Sequence, residues 1–195
     1  MKVLFFDTES TDLAASWGRL LCASFATLDG EVYTIKTKGR TKVDDSRIAI
    51  GVRRELESAD IVVGWNSKLH DVPLVNARLS KHGERAIHIG EKYGGTHVDL
   101  MWYAAGSSMK IGGRSLATVS KYFNVRHAKT PLTGDVWQLA GAGDKSALDL
   151  VVEHCEADVL VLRDLWPHLA PYVKNMTFTL SEVHHVISDI PTRRR

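Results

Sequence analysis

The chain has 195 residues, 44% hydrophobic and 25% charged, which supplies one sizeable core and excludes disorder over most of its length. Its first apolar run, Val3 to Phe6, is shorter than a signal-peptide core, and no window approaches the roughly 18 uncharged apolar residues of a membrane span, so a soluble, cytoplasmic protein is expected. The net charge of +2 hides an uneven distribution: no acidic residue lies between Asp99 and Asp135, where Lys110, Arg114, Lys121, Arg126 and Lys129 fall, and Lys36, Lys38, Arg40 and Lys42 form a second basic run. Each run is either a phosphate-facing surface or a solvated basic loop.

Val3 to Phe6 reads as a strand buried on both faces and central in its sheet. Leu20 to Leu28 and Glu31 to Thr37 are two strand-forming segments around Asp29-Gly30, a hairpin signal because both residues tolerate positive φ. Val43 to Ser58 carries apolar residues at helical spacing, and Ile61 to Trp65 is a further strand, giving the order βββαβ. A helix after Pro73 should end near Gly83, with loop from Gly90 to Gly95. Val98 to Ala105 and Ser115 to Phe123 read as short helices, the second capped by Ser115. From Lys145 to Leu169 apolar residues recur every three or four positions, which predicts a long amphipathic helix that could bend near Pro167. Residues 175–187 are expected to form a terminal helix, followed by a frayed basic tail. Cys22 and Cys155, distant in sequence and in apolar surroundings, read as reduced core thiols rather than a disulfide or zinc site.

Three short patterns carry chemistry. Asp7 and Glu9 lie two apart on the first strand, so the period of a strand puts both carboxylates on one face. Like charges so placed repel unless a cation lies between them, and a hard divalent ion suits carboxylate oxygens. Asn66 to Asp71 follows the Ile61–Trp65 strand, and Asp71 would cap the next helix. It could face Asp7 and Glu9 if the two strands are adjacent and parallel. His154 and Asp158, four apart on the long helix, share one of its faces, whereas Glu153 and Glu156 point elsewhere.

In this order, Asp7-x-Glu9, Asn66-x-x-x-x-Asp71 with Val72-Pro73, and His154-x-x-x-Asp158 resemble the three motifs of the DEDD (DnaQ-like) 3′→5′ exonucleases, in the branch related to the proofreading domains of family B polymerases and to small stand-alone phage and bacterial nucleases. Lys129-Thr130-Pro131-Leu132, leading through Trp137 to the last helix, is similar to that group too. Two positions depart from the pattern. That branch has Tyr where this chain has His154, and an aromatic residue where it has His70.

The resemblance implies an α/β, RNase H-like mixed five-stranded sheet, its first three strands antiparallel, flanked by helices. Residues 1–173 would form the exonuclease domain, with 174–195 a C-terminal helix and tail of the same domain. Asp7, Glu9, Asp71 and Asp158 would hold two divalent ions, Mg²⁺ or Mn²⁺, and His154 would orient or deprotonate the attacking water. Ser10, Thr11, Leu13 and Asn66 would meet the 3′ end of single-stranded DNA or RNA, and Lys121, Arg126 and Lys129 its phosphates. Trp17 is either a stacking platform or a packed loop residue. With the four carboxylates neutralised, the rest of the chain carries +6, which suits a nucleic-acid partner. A polymerase or replication partner, and a bacterial or phage-infected cell, follow from the same resemblance. The alternatives are a metal-dependent endonuclease or resolvase of this fold and a non-catalytic nucleic-acid-binding module.

Overall fold

The computed structural model describes residues 1–38, 44–90, 96–106, 109–128 and 131–173. Among these residues five strands, β1 (Val3–Ser10), β2 (Leu20–Thr27), β3 (Val32–Lys36), β4 (Ile61–Gly64) and β5 (Thr96–Asp99), form one sheet in the order β3-β2-β1-β4-β5. The hairpin pairs β2 antiparallel to β3, and β2 pairs antiparallel to β1. Gly30 takes φ 103° in the hairpin turn, a conformation that only glycine adopts at little cost. Beyond β1 the sheet turns parallel, with β4 beside β1 and β5 beside β4. This is the mixed five-stranded sheet expected from the sequence, and β1 is central in it.

Among the described residues six helices flank the sheet: α1 (Ser46–Glu57), α2 (Asp71–Lys81), α3 (Leu100–Ala105), α4 (Leu116–Phe123), α5 (Gly134–Gly141) and α6 (Lys145–Leu169), the last running into a 3₁₀ turn at Ala170–Tyr172. The two-residue period of β1 sorts its side chains between two cores. Val3 and Phe5 pack with Ile61, Val63 and Val98 against Val159, Leu162, Leu165 and Trp166 of α6. Leu4 and Phe6 face the other way, with Val62, onto Ile48, Val52 and Leu56 of α1 and Leu74, Val75 and Leu79 of α2. A smaller cluster joins Leu21 and Cys22 of β2 to Ala140 of α5 and to Ala147, Val151 and Cys155 of α6. Among the described residues no helix is long and apolar enough to cross a membrane.

Five elements differ from the sequence reading. Residues 98 and 99 end strand β5, and α3 begins only at Leu100, because Asp99 accepts the Met101 N–H as a cap. Helix α1 starts at Ser46, after Asp45, which is committed to buried partners, and the earlier start expected at Val43 lies outside the described residues. Asp71 is the first residue of α2 rather than its cap, a position occupied by His70. Helix α5, which carries Trp137, had no expected counterpart, because its eight residues bury little besides Ala140 and show a weak apolar stripe. Ser115 caps α4 as expected, its hydroxyl accepting the Thr118 N–H at 3.1 Å. The long helix α6 matches its expected span, with Pro167 inside it. The loop at 91–95, the basic residues Arg40, Lys42 and Lys129, and the expected terminal helix and tail lie outside the described residues.

Candidate active site

Alternation along β1 continues past the core: Asp7 and Glu9 follow Val3 and Phe5 onto the α6 side, and Thr8 follows Leu4 and Phe6 onto the α2 side. On the α6 side, helix periodicity brings His154, Cys155 and Asp158 to the same place. The His154 Nε2 lies 3.7 Å from Glu9 Oε1 and 3.9 Å from Asp158 Oδ2. Both α6 residues are buried, with 3% and 4% exposure, so the pair is part of the site rather than a solvated surface pair. The structure thus brings Asp7, Glu9, His154 and Asp158 together.

Three contacts complete this cluster. Trp137 of α5 donates its indole N–H to Glu9 Oε2 at 2.6 Å and sets its ring edge-on to His154, 5.6 Å between centroids. Cys155 directs its thiol to Asp7, 3.5 Å from both Oδ2 and the backbone oxygen. Burial, the neighbouring Cys22 thiol and the two carboxylates push the Cys155 thiol well above its ordinary pKa, so it stays protonated. Ligand atoms of Asp7, Glu9 and Cys155 all lie within 4.8 Å of one another, a spacing that can enclose a cation. The two carboxylates, with Asp158 beside His154, offer hard anionic oxygens, which fit a divalent ion of the Mg²⁺ or Mn²⁺ kind.

Asp71 takes a different position. The parallel pairing of β1 with β4 covers only Val3 to Phe5, so the edge of β1 beyond it needs another acceptor. Asp71 supplies it: its Oδ1 accepts the Thr8 hydroxyl at 2.6 Å and the Thr8 backbone N–H at 3.2 Å. The carboxylate therefore adjoins β1 one residue from Asp7, held from the α2 side. Burial raises its pKa despite the Thr8 bonds. The β1 and β4 strands are adjacent and parallel, as the sequence argument required.

Of the substrate-facing candidates, Ser10 ends β1 at a register shift and donates its hydroxyl to the Asp12 carbonyl at 2.7 Å. The Thr11 carbonyl accepts Gln138 Nε2 of α5 at 3.0 Å. Leu13 is exposed. Asn66 adopts a left-handed φ of 57°, which Asn tolerates, and its N–H donates to Asp99 Oδ1 at 2.8 Å. This fixes the turn from β4 into α2. Lys121 and Arg126 are both exposed to solvent, whereas nearby His127 is drawn onto α6 by its bond to Asp164 at 2.8 Å. Trp137, Cys155 and Thr8 are the site residues that sequence reasoning missed. The strand period marked Thr8, as the residue between two carboxylates, and the family-like segment leading through Trp137 marked that residue without giving it a role, whereas Cys155 was read only as a core thiol.

The comparisons with known proteins fit this geometry. No match is found among curated proteins. Among solved structures, the family B DNA polymerase from the hyperthermophilic archaeon Pyrobaculum calidifontis is similar in fold, with a TM-score of 0.72 and 20% identity over 88% of this chain. The chain spans about a quarter of that polymerase's length, the matched part being 25% of it. A family model described as RNase H superfamily matches residues 4–170. That match runs from the strand bearing Asp7 and Glu9 through the helix bearing His154 and Asp158, and so the chain belongs to the RNase H superfamily.

Proposed function

We propose that this protein is a metal-dependent 3′→5′ exonuclease that hydrolyses the terminal phosphodiester of single-stranded DNA or RNA and releases nucleoside monophosphates. The observation that carries the reading is the meeting of Asp7 and Glu9 of β1 with His154 and Asp158 of α6. Asp7, Glu9 and Asp158, with Asp71 beside them, would hold two divalent ions, Mg²⁺ or Mn²⁺. When bound, such ions lower the pKa of the attacking water and stabilise the charge of an in-line phosphoryl transition state.

The chain's own groups do the rest. His154, an imidazole within 4 Å of Glu9 and Asp158, would orient the attacking water and take its proton. Trp137 holds Glu9 by one oxygen and His154 by its ring edge, which limits the rotamers of both. Thr8 holds Asp71 at the edge of β1. Ser10, Thr11, Leu13 and Asn66, at or just beyond the ends of β1 and β4, would meet the terminal nucleotide. Lys121, Arg126 and Lys129 would contact phosphates further along the strand. The same domain would include residues 174–195, and a polymerase partner is compatible with the fold.

The test is incubation of purified protein with 5′-labelled single-stranded DNA and RNA in Mg²⁺, Mn²⁺ or EDTA. A ladder shortening from the 3′ end in either metal, and none in EDTA, supports the reading. Internal cuts without monophosphate release favour an endonuclease or resolvase on this fold, and binding without turnover favours a non-catalytic module.

A further inference from the structure

The segment Thr11–Arg19, directly after the carboxylates of β1, is fastened far more firmly than a solvated loop requires. Its neck is closed by the Thr11 N–H on the Arg19 carbonyl at 3.0 Å and the Arg19 N–H on Thr11 Oγ1 at 3.2 Å. Inside, Asp12 Oδ1 accepts the Ala14 N–H at 2.9 Å, and the Ala14 carbonyl accepts the N–H groups of Trp17 and Gly18 at 3.1 and 2.7 Å. Beneath lies Arg78 of α2, with 2% exposure. Its Nη1 donates to the carbonyls of Ala15 and Gly18 at 3.2 and 3.1 Å, while Nε and Nη2 hold Asp45 at 2.7 and 2.9 Å. Asp45 also accepts the Leu20 N–H at 2.8 Å and lies 2.7 Å from His82 Nε2. Burial would raise the Asp45 pKa, yet these donors bring it below the ordinary value, so the clamp stays ionised.

On this clamped backbone Trp17 stands 84% exposed, with Leu13 also exposed on the same loop. An indole so placed adds little to folding, because its apolar face remains in water. Its backbone, however, is already ordered by the clamp, so a ligand binding to the ring need not order the loop. The loop leaves β1 two residues after Glu9, and its neck at Thr11 is bonded to Gln138, next in sequence to the Trp137 that holds Glu9; a flat π-face on such a loop suits an unpaired base, since every base can stack.

We propose that Trp17 is a stacking platform for the unpaired nucleobase at the strand end entering the carboxylate site, with Arg78 as the positioning residue that holds the platform. This rests on the reading of the site as one for nucleic acid. Stacking of this kind is tolerant of base identity, so the platform recognises a free strand end rather than a sequence.

The experiment uses DNA octamers carrying 2-aminopurine at the 3′ or the 5′ terminus, mixed in EDTA with full-length wild type, Trp17→Ala, Trp17→Phe, Gly18→Ala and Arg78→Lys. Binding is followed by anisotropy and by 2-aminopurine emission. Wild type should change the emission of the 3′-labelled strand. Trp17→Ala should abolish that change and weaken binding about 10-fold, the ordinary worth of one base–aromatic stack, with an unaltered melting temperature. Trp17→Phe should retain most of both. Gly18→Ala places a Cβ 2.5 Å from the Asp12 carbonyl oxygen, so the loop must shift while the buried ion pair stays intact. It should lose emission change and affinity as Trp17→Ala does, and Arg78→Lys likewise. Wild-type binding and emission in Trp17→Ala overturn the platform, as does a response confined to the 5′-labelled strand. Wild-type behaviour of Gly18→Ala overturns the positioning role, even if Arg78→Lys fails to fold. Hydrolysis in Mg²⁺ or Mn²⁺ separates the two readings. Cleavage with Trp17-independent binding removes the platform alone, and Trp17-dependent binding without cleavage removes the nuclease reading alone.

Discussion

Asp7 and Asp158 would serve the metal ions more than the fold, which makes their removal informative. Replacing either with Ala takes one negative charge from a crowded anionic cluster. Hydrolysis should disappear while the melting temperature without metal holds or rises, since like-charge repulsion is relieved. Calorimetry in EDTA beside the cleavage assay checks both parts; full activity in a folded variant refutes the assignment. His154→Ala should lower turnover by roughly 10²–10⁴-fold, the usual worth of general acid–base help, and His154→Tyr should retain part of the activity. Trp137→Phe isolates one bond. It keeps a ring against His154 but deprives Glu9 of its N–H donor. A hydrogen bond to a charged group contributes about 1.5–3 kcal/mol to stability, so the melting temperature should fall modestly, and turnover should fall on the order of 10-fold or more because Glu9 is no longer held. Equal kcat in this variant would mean that Glu9 is positioned by other contacts.

At the scale of elements, α4 and the turn after it present Lys121 and Arg126 to solvent, on the stretch that lacks carboxylates. If they contact substrate phosphates, Lys121→Ala with Arg126→Ala should reduce the slope of log affinity against log salt by about 0.7 per lost contact on single strands. Turnover at saturating substrate should change much less. A titration of oligonucleotide binding between low and moderate salt decides this, and an unchanged slope would turn this face away from nucleic acid. The sequence marked this segment by charge alone, and charge did not reveal that His127 within it is bound to Asp164 on α6. The elements that were legible, β1 to β4, α4 and α6, have apolar runs, sustained periodicity or, in α4, the cap at Ser115. Strand β5 was not, because Thr96 and His97 interrupt its apolar character and the helix after it begins without a break.

For the molecule as a whole, acid stability has an identifiable contributor in His97 of β5. Burial, aided by the charge of Lys68, lowers its pKa from 6.5 to about 4. Its Nε2 lies 3.0 Å from Ser67 Oγ, and its ring lies against Phe6. The folded protein keeps this imidazole neutral where the unfolded chain protonates it. Between pH 6.5 and about 4 the unfolded state therefore binds more protons, and stability falls as pH falls through that window. The loss attributable to His97 is at most about 3 kcal/mol. His97→Gln, which can still reach Ser67, should flatten the melting temperature between pH 6.5 and 4.5, values that bracket roughly two units below the reference imidazole pKa. A wild-type pH dependence in that variant would assign the acid loss to other groups.

By itself the sequence determined which candidate residues share a face and their order along the chain: two carboxylates on one face of a central strand, an acid after a second strand, and a His and Asp on one face of a long helix. Those inferences rest on periods of two and 3.6 residues, which act over a few positions and need no knowledge of neighbours. Only the tertiary structure decided which face met which helix. It sent Asp7 and Glu9 to α6 and Thr8 to Asp71 on the α2 side, and it brought Trp137 across 128 positions to Glu9 and Cys155 across 148 to Asp7. The physical reason is that packing of α5 and α6 on β1 and β2 is a long-range choice set by the whole apolar core, and no local propensity encodes where a side chain on one element will find its partner on another.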